Sequence, residues 1–334
     1  MIVSVVAAVR RERGAIGRFL TSVAAQDLAD ADWEVIVADG MSDDGTREIL
    51  DRRAREWPRL KVIDNPRRIA ATGLNAAIQH ARGEVIVRMD AHTEYAPDYL
   101  RECLDALERT GADNVGGPAQ TRAGGWLARA IAAAFHSPFA SGGAKFHNPE
   151  HEGPVDTVPY GCWRRATLER VGPFDETLVH NQDDELNLRI VRSGGRVWQS
   201  PRIRSWYRPR GTLPALFAQQ FQYGFWKVAV IRKHGRPASW RHLAPGTAVL
   251  LAILLAALGS FWRWPLVALD ALAGVWLIAA VVASLAAARR HGWDLLPALP
   301  PVFATYQLAY GLGFLWRLAA GWARPRAARE CPSP

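Results

Sequence analysis

Cysteine is scarce in this chain: Cys103, Cys162 and Cys331 are the only three, with no short spacing between them. That excludes a disulfide-stapled framework and a cysteine zinc cluster, and it fits a reducing compartment. The first residues also read poorly as a secretory leader. MIVSVVAAVRRERG turns apolar at once, without a basic start or a cleavage site, so 2–9 reads as a buried strand. No period of 20 to 50 residues recurs and no low-complexity tract is present. Acidic residues are absent from Leu186 to Leu269. Nucleic-acid-binding motifs are missing too, so the formal net charge of +9 is no argument for a nucleic-acid partner.

What is present in the first half is alternation. Apolar runs at 2–9, 34–38, 60–63 and 84–89 are separated by helix-like stretches near 14–25, 46–55 and 70–81. Strands alternating with helices predict βαβ units and a parallel sheet covered on both faces. Asp44-Gly45-Thr46 predicts a turn and cap, Gly83 a glycine helix end, and Pro97 a proline in the first turn of a following helix. In NQDDELNLRIVRSGG, Leu186 and Ile190 share one helix face.

The composition changes after residue 200. Nine basic residues lie within 201–241, and three apolar segments follow, at 243–261, 265–288 and 302–320. Each approaches the ~20 residues of a bilayer span. Trp240, Trp262, Trp264, Trp293 and Trp322 sit near the segment ends, as interfacial tryptophans do. The third segment is interrupted by Tyr306, Gln307, Tyr310 and Arg317, which leaves span, re-entrant piece and interfacial helix open. The basic approach to the first segment and Arg289-Arg290 after the second put both flanks on the cytoplasmic side; a third full span would put the basic tail 324–334 outside. The alternative for all three is a set of buried helices in a soluble domain.

Two carboxylates end apolar runs, Asp39 after EVIVA and Asp90 after EVIVRM, where ligands of open α/β sheets bind. On an extended chain His92 would point the same way as Asp90, and the two would share one divalent cation, Mg²⁺ or, more readily with an imidazole, Mn²⁺. Read in isolation, each of these is an ordinary turn or helix-start residue.

Their order and spacing together resemble the family 2 inverting glycosyltransferases, through EVIVADGMSDDGT, ATGLNAAIQHARGEVIVRMDAH, PYGCWRR and GPFDETLVHNQDDELNLRIVRSGG. SPFASGGAKFH, QDDELNLR, QYGFWK and the apolar tail are most similar to bacterial exopolysaccharide glycosyltransferases of the succinoglycan-biosynthesis type. The resemblance covers about 1–235. It implies a GT-A fold, a nucleotide-sugar-binding Rossmann-like, mostly parallel sheet in an α/β class, followed by hydrophobic helices. The organisation it suggests is a catalytic domain over 1–235, a membrane-associated helical region over 236–323 with two or three transmembrane helices, and the tail 324–334.

By the same resemblance Asp39 binds the donor nucleotide, with Gly40 in place of the usual second aspartate. Asp90 holds the metal and the nucleotide diphosphate, and His92 stands where the motif has its second aspartate. Asp183 follows Gln182 where the family has Glu-Asp, and is the general base; Asp184 is the adjacent candidate. Asp184, Arg189, Gln222 and Trp226 are the further contacts for acceptor or diphosphate. The processive-synthase signature is not reproduced by QYGFWK, which favours single addition. The implied activity is inverting transfer of a hexose, with UDP-glucose as the expected donor, to an acceptor hydroxyl of a saccharide, expected to be lipid-linked. The implied place is the cell (inner) membrane, with the catalytic domain facing the cytoplasm. The rival reading is a membrane-anchored, non-catalytic nucleotide-sugar-binding or scaffold protein, to which Gly40, His92 and Gln182 give some room. Trp163, Trp198, Trp206 and Trp226 are read first as core, with sugar stacking as the alternative.

Overall fold

The computed structural model describes residues 2–28 and 32–321, so Cys331, Trp322 and the tail 324–334 lie outside the described residues. In chain order the elements are β1 (Ile2–Val9), α1 (Ile16–Ala24), β2 (Asp32–Asp39), α2 (Thr46–Glu56), β3 (Leu60–Asp64), α3 (Ala70–His80), β4 (Val85–Arg88), β5 (Thr93–Tyr95), α4 (Tyr99–Thr110), β6 (Asn114–Gly116), β7 (Gln120–Thr121), α5 (Trp126–Phe135), α6 (Pro138–Ser141), β8 (Gly153–Pro154), β9 (Cys162–Arg164), α7 (Arg165–Val171), α8 (Gln182–Arg192), β10 (Val197–Gln199), β11 (Ser205–Tyr207), α9 (Leu213–His234), α10 (Ala244–Leu258), α11 (Arg263–His291) and α12 (Leu299–Ala319). They form two compact units, 1–121 with 145–208, and 122–144 with 209 onward. The units therefore do not divide at 235: α9 and residues 122–144 fall with the C-terminal helices.

The first unit is the expected α/β fold. Its main sheet has the order β3-β2-β1-β4-β9-β6-β10-β8, parallel from β3 through β4, with β9 antiparallel to both β4 and β6. Both faces are covered, as the unbroken apolar strands require. Along β1, Val3, Val5, Ala7 and Val9 enter one core with Phe19, Leu50 and Tyr99, while Val6 enters the other with Ile36, Leu74 and Leu186. A second, three-stranded sheet, β5-β11-β7, begins just after Asp90.

The turn at Gly45 forms as expected: Asp44 Oδ1 accepts from the Thr46 amide at 3.1 Å and its hydroxyl at 2.6 Å, with Gly45 at φ +97°. Gly83 has a different reason for being glycine. It is not in the left-handed region; a Cβ there would stand 2.6 Å from the Ser4 amide nitrogen, so the turn must pass hard against β1. Pro97 stands outside α4 rather than in its first turn, just before the N-cap position Asp98, whose side chain makes no capping hydrogen bond.

Glu34 ties this turn to the sheet. Its Oε1 accepts from the Ser4 hydroxyl at 2.8 Å and the Arg82 amide at 2.6 Å, and its Oε2 accepts from Arg82 Nε at 3.1 Å. Burial opposes ionisation, yet these donors and the Arg82 charge hold the carboxyl below its ordinary value. A depressed folded value means stability that is present above the unfolded glutamate value of about 4.3 and lost as pH falls through the folded one. Glu34→Gln should therefore cost about 1–2 kcal/mol at pH 7. Denaturant melts of both proteins should converge below pH 4.

The second unit is helical. Ala130, Ile131 and Ala134 of α5 pack with Ala287 and Ala288 of α11 and with Leu299, Val302 and Phe303 of α12. Two glycines let α9 and α12 touch through their backbones. A Cβ on Gly224 would stand 2.0 Å from the Tyr310 carbonyl oxygen, and one on Gly313 2.0 Å from that of Phe221. The polar residues that interrupt the third apolar segment turn inward. Trp276 Nε1 donates to Gln307 Oε1 at 2.7 Å, Gln307 Nε2 donates to the Phe139 carbonyl at 2.8 Å, and the Tyr306 hydroxyl donates to the Ile131 carbonyl at 3.4 Å. Among the described residues, Trp240–Leu258 and Arg263–His291 are the two helices long and apolar enough to cross a membrane. Many of their large apolar side chains are exposed: Leu254 is 50% exposed, Ile278 68% and Val282 61%.

Candidate functional site

Parallel strands running the same way bring the ends of β2 and β4 to one edge, flanking the end of β1. Asp39, the last residue of β2, is buried. Its Oδ2 accepts from the Ser42 amide at 3.1 Å and lies 3.7 Å from Arg47 Nη1. Its Oδ1 is buried with no hydrogen-bond donor. A buried carboxylate oxygen without a protein donor is costly, which sets this oxygen apart at the sheet edge. Gly40 has a local cause: a Cβ there would meet Arg10 Cβ at 3.0 Å, so the arginine occupies the space of a second acidic side chain.

The loops after β1 and β2 are stitched together at this edge. The Arg11 amide donates to Ser42 Oγ at 2.9 Å, the Glu12 amide to Thr46 Oγ1 at 2.8 Å, and the Arg13 amide to Asp44 Oδ2 at 3.1 Å. Arg11 Nε and Nη2 donate to Asp43 at 2.7 and 2.8 Å, and the guanidinium holds that carboxyl down at about 2. Arg11 and Met41 both adopt positive φ, at +54° and +58°. Strain of this kind in non-glycine residues clusters at functional loops.

The second half of the site centres on an arginine that the sequence reading passed over. Arg88 ends β4 and is 6% exposed. Its Nε donates to Asp90 Oδ1 at 2.8 Å and its Nη2 to Asp90 Oδ2 at 2.9 Å. Its Nη1 lies 4.0 Å from Asp183 Oδ2. Burial opposes ionisation of Asp90, but the Arg88 charge and its two hydrogen bonds outweigh it and hold the carboxyl below its ordinary value. Asp90 and Asp183, 93 positions apart in the chain, thus meet on opposite sides of one guanidinium.

The chain does not run extended from Asp90 to His92. The Thr93 amide donates to the Asp90 carbonyl at 3.1 Å and closes a turn. Asp90 is directed to Arg88, while His92 Nδ1 lies 3.7 Å from Glu12 Oε1 and its ring stands edge-on to Tyr207. The side chains are therefore not successive same-side positions of a strand, which corrects that part of the sequence reading. The turn is held from below: the Asp90 amide donates to the Tyr95 hydroxyl at 2.6 Å, and the Thr93 and Tyr160 hydroxyls are 2.6 Å apart. Burial pushes both tyrosines above the ordinary range, so they stay protonated. Tyr160 itself sits at φ +64°.

Asp183 stands in the first turn of α8, after Asn181 at φ +62°, with its Oδ1 accepting from the Asp184 amide at 2.9 Å. A buried amide chain sets the helix on the sheet: Asn114 Nδ2 donates to Asn187 Oδ1 at 2.6 Å, and Asn187 Nδ2 to Thr157 Oγ1 at 2.8 Å. Arg189 clamps from the far side. Its Nε donates to both oxygens of fully buried Glu185 at 3.0 Å, its Nη1 to the carbonyl of Gly172 at 3.1 Å, and its Nη2 to that of Pro173 at 2.7 Å. Gln222 and Trp226 lie in the helical unit, where Trp226 is buried and its Nε1 donates to Gln222 Oε1 at 3.2 Å. Trp163 is a core residue, edge-on to Phe174. Three of the nine basic residues within 201–241 are matched inside the first unit: Arg202 with Glu102 at 2.8 Å, Arg204 with Asp98 at 2.9 Å and Arg208 with Glu94 at 2.7 Å.

A divalent cation fits here in one manner. Among the described residues no three His, Cys, Asp or Glu side chains converge as a ready-made cage. Asp90 offers one carboxylate, with His92 a few residues on, and a hard cation with so few protein ligands completes its shell from phosphate oxygens and water.

The family described as Glycosyl transferase family 2 matches residues 4–170. The succinoglycan biosynthesis protein ExoA of Rhizobium meliloti (strain 1021) is 32% identical over 294 residues, covering 87% of this chain and 87% of that protein. A dolichyl N-acetyl-alpha-D-glucosaminyl phosphate 3-beta-D-2,3-diacetamido-2,3-dideoxy-beta-D-glucuronosyltransferase of Methanococcus voltae is 25% identical over 246 residues, 71% of this chain and 76% of that one. Among solved structures, the mannosyltransferase PcManGT of Pyrobaculum calidifontis, in complex with GDP-Man and Mn²⁺, superposes with a TM-score of 0.61 at 22% identity, over 94% of this chain and 87% of that chain.

Proposed function

The chain belongs to glycosyltransferase family 2, and on that premise we propose that it transfers a hexose from a nucleoside-diphosphate sugar to an acceptor hydroxyl with inversion at the anomeric carbon. The single observation that carries the assignment of roles is the meeting of Asp90 and Asp183 about Arg88 at the carboxyl edge of the sheet. Asp39, with its donorless oxygen, takes an N–H of the nucleotide base. Asp90, with His92, would hold a divalent cation, which would supply counter-charge for the leaving diphosphate. PcManGT was solved with such an ion, Mn²⁺, beside its GDP-Man.

Asp183 accepts the proton of the acceptor hydroxyl as that oxygen attacks C1. The C1–O bond to the diphosphate breaks, and its electron pair leaves with the nucleotide. One displacement needs no covalent intermediate, and an α-linked donor yields a β-linkage. The strain at Asn181 and the amide chain through Asn187 serve to aim Asp183; Asp184 is its neighbour on the next helical position.

Similarity and the helical unit support a reading of the role in the cell. ExoA is named for succinoglycan biosynthesis, and the Methanococcus voltae relative for a dolichyl-phosphate-linked sugar. With two exposed apolar helices, these favour a lipid-linked saccharide as acceptor, exopolysaccharide assembly as the process, and the inner membrane as the site, with the catalytic unit in the cytoplasm. UDP-glucose is the first donor to test. Purified protein in detergent is given Mn²⁺ or Mg²⁺, a panel of UDP- and GDP-sugars, and either free saccharides or polyprenyl-diphosphate saccharides. The expected result is transfer from one donor, faster to the lipid-linked acceptor. Absence of transfer and of donor hydrolysis across the panel would overturn the enzyme reading, and equal rates with free saccharide would overturn the lipid acceptor.

A further inference from the structure

We infer that Arg88 is a positioning residue that holds Asp90 and Asp183 apart at their working separation and competes with the divalent cation for Asp90. The inference rests on the reading of Asp90 as the cation's carboxylate. Its basis is a geometry that an ordinary structural ion pair does not need. Arg88 is 6% exposed, and its fork takes both oxygens of Asp90, at 2.8 and 2.9 Å. The remaining donor, Nη1, is buried, makes no hydrogen bond, and points toward Asp183 Oδ2 from 4.0 Å. A buried N–H just beyond hydrogen-bond range of a carboxylate is a donor kept in reserve.

Charge decides what this does. With no donor bound, Asp90 and Asp183 are two carboxylates in a partly buried site, and the guanidinium is their common counter-charge. A divalent cation arriving at Asp90 meets a fixed positive charge on both oxygens of its only carboxylate. It binds weakly there until the diphosphate oxygens of the donor add their own charge and ligands. Arg88 then yields part of its hold on Asp90, and its reserved Nη1–H is free to close on Asp183. Cation loading is thereby tied to donor binding, and the base is steadied in the loaded state. Lysine cannot replace this arginine, because a single ammonium cannot hold two carboxylates at fixed spacing in fork geometry.

Opposite signs of two measurements test the idea. Mn²⁺ affinity is measured by EPR on the full-length protein in detergent without nucleotide, and kcat is measured with donor at saturation. In Arg88→Gln, Mn²⁺ should bind at least threefold tighter while kcat falls at least tenfold. A residue that merely supports the fold would weaken both. Arg88→Lys keeps the charge and should bind Mn²⁺ within threefold of the unaltered protein, again with kcat down at least tenfold. It carries the test if Arg88→Gln fails to fold by circular dichroism. Unchanged or weaker Mn²⁺ binding in Arg88→Gln, or a smaller fall of kcat in either variant, overturns the inference. Asp90→Asn separates this from the parent reading. If that variant binds Mn²⁺ as tightly as the unaltered protein in the presence of UDP, Asp90 is not the cation's ligand and the reading itself fails.

Discussion

Asp183→Asn lowers kcat by about 10²–10⁴-fold, the range that a positioned general base contributes, and leaves nucleotide binding unchanged. Asparagine keeps the shape of the side chain and can keep the hydrogen bond from the Asp184 amide, so α8 keeps its start. What is lost is the capacity to take a proton, and with it the negative charge facing Arg88. Binding of UDP, followed by isothermal titration in the presence of Mn²⁺, should stay within about twofold, because Asp39 and Asp90 are untouched. Asp184→Asn is the matched control. One helical step rotates it about 100° from Asp183, and its loss should cost much less. Turnover within tenfold of normal in Asp183→Asn would remove the base assignment.

Asp90 gives the second large effect, and there the two obvious variants should differ in kind. Asp90→Ala removes both acceptors of a buried guanidinium and leaves Asp183, at 4.0 Å, as its nearest carboxylate. Stripping one member from a buried ion pair costs about 3–5 kcal/mol. This variant should therefore lose activity and stability together. Asp90→Asn keeps an acceptor oxygen for Arg88 and should recover much of the stability, yet turnover should remain at least a hundredfold down. Thermal melting of the two variants beside their kcat values checks the split. Equal melting points for both would mean that Arg88 does not depend on Asp90 in the way its hydrogen bonds imply.

These two residues also show how far the chain could be read before its structure. Asp39 and Asp90 stand out because a fully buried parallel strand reads as an apolar run, and an acid that closes the run lies at the sheet's edge. Asp183 was visible only through a family pattern, since an acid in a helix's first turn is ordinary. Arg88 carried a faint signal, a lone arginine in EVIVRMD inside a strand otherwise without charge. Its partners, two residues and 95 residues downstream, gave no such signal. His92 was misjudged in direction because a turn closed by one backbone hydrogen bond leaves no mark on a three-residue string. Tyr306 and Gln307 looked like breaks in an apolar segment; in the fold they answer carbonyls of 131 and 139 and an indole N–H, which periodicity cannot show.

By itself the sequence determined what depends on neighbours in the chain: the order of strands and helices, the strand ends that carry Asp39 and Asp90, and the apolar helices near the end. Folding decided everything that depends on residues far apart. It set α5 among the C-terminal helices, matched Arg202, Arg204 and Arg208 with acids of the first unit, and brought Asp183 to the far side of Arg88 from Asp90. The reason is that periodicity records which face of an element is buried, whereas the partner buried against it is chosen by the shape and charge of the whole assembled core.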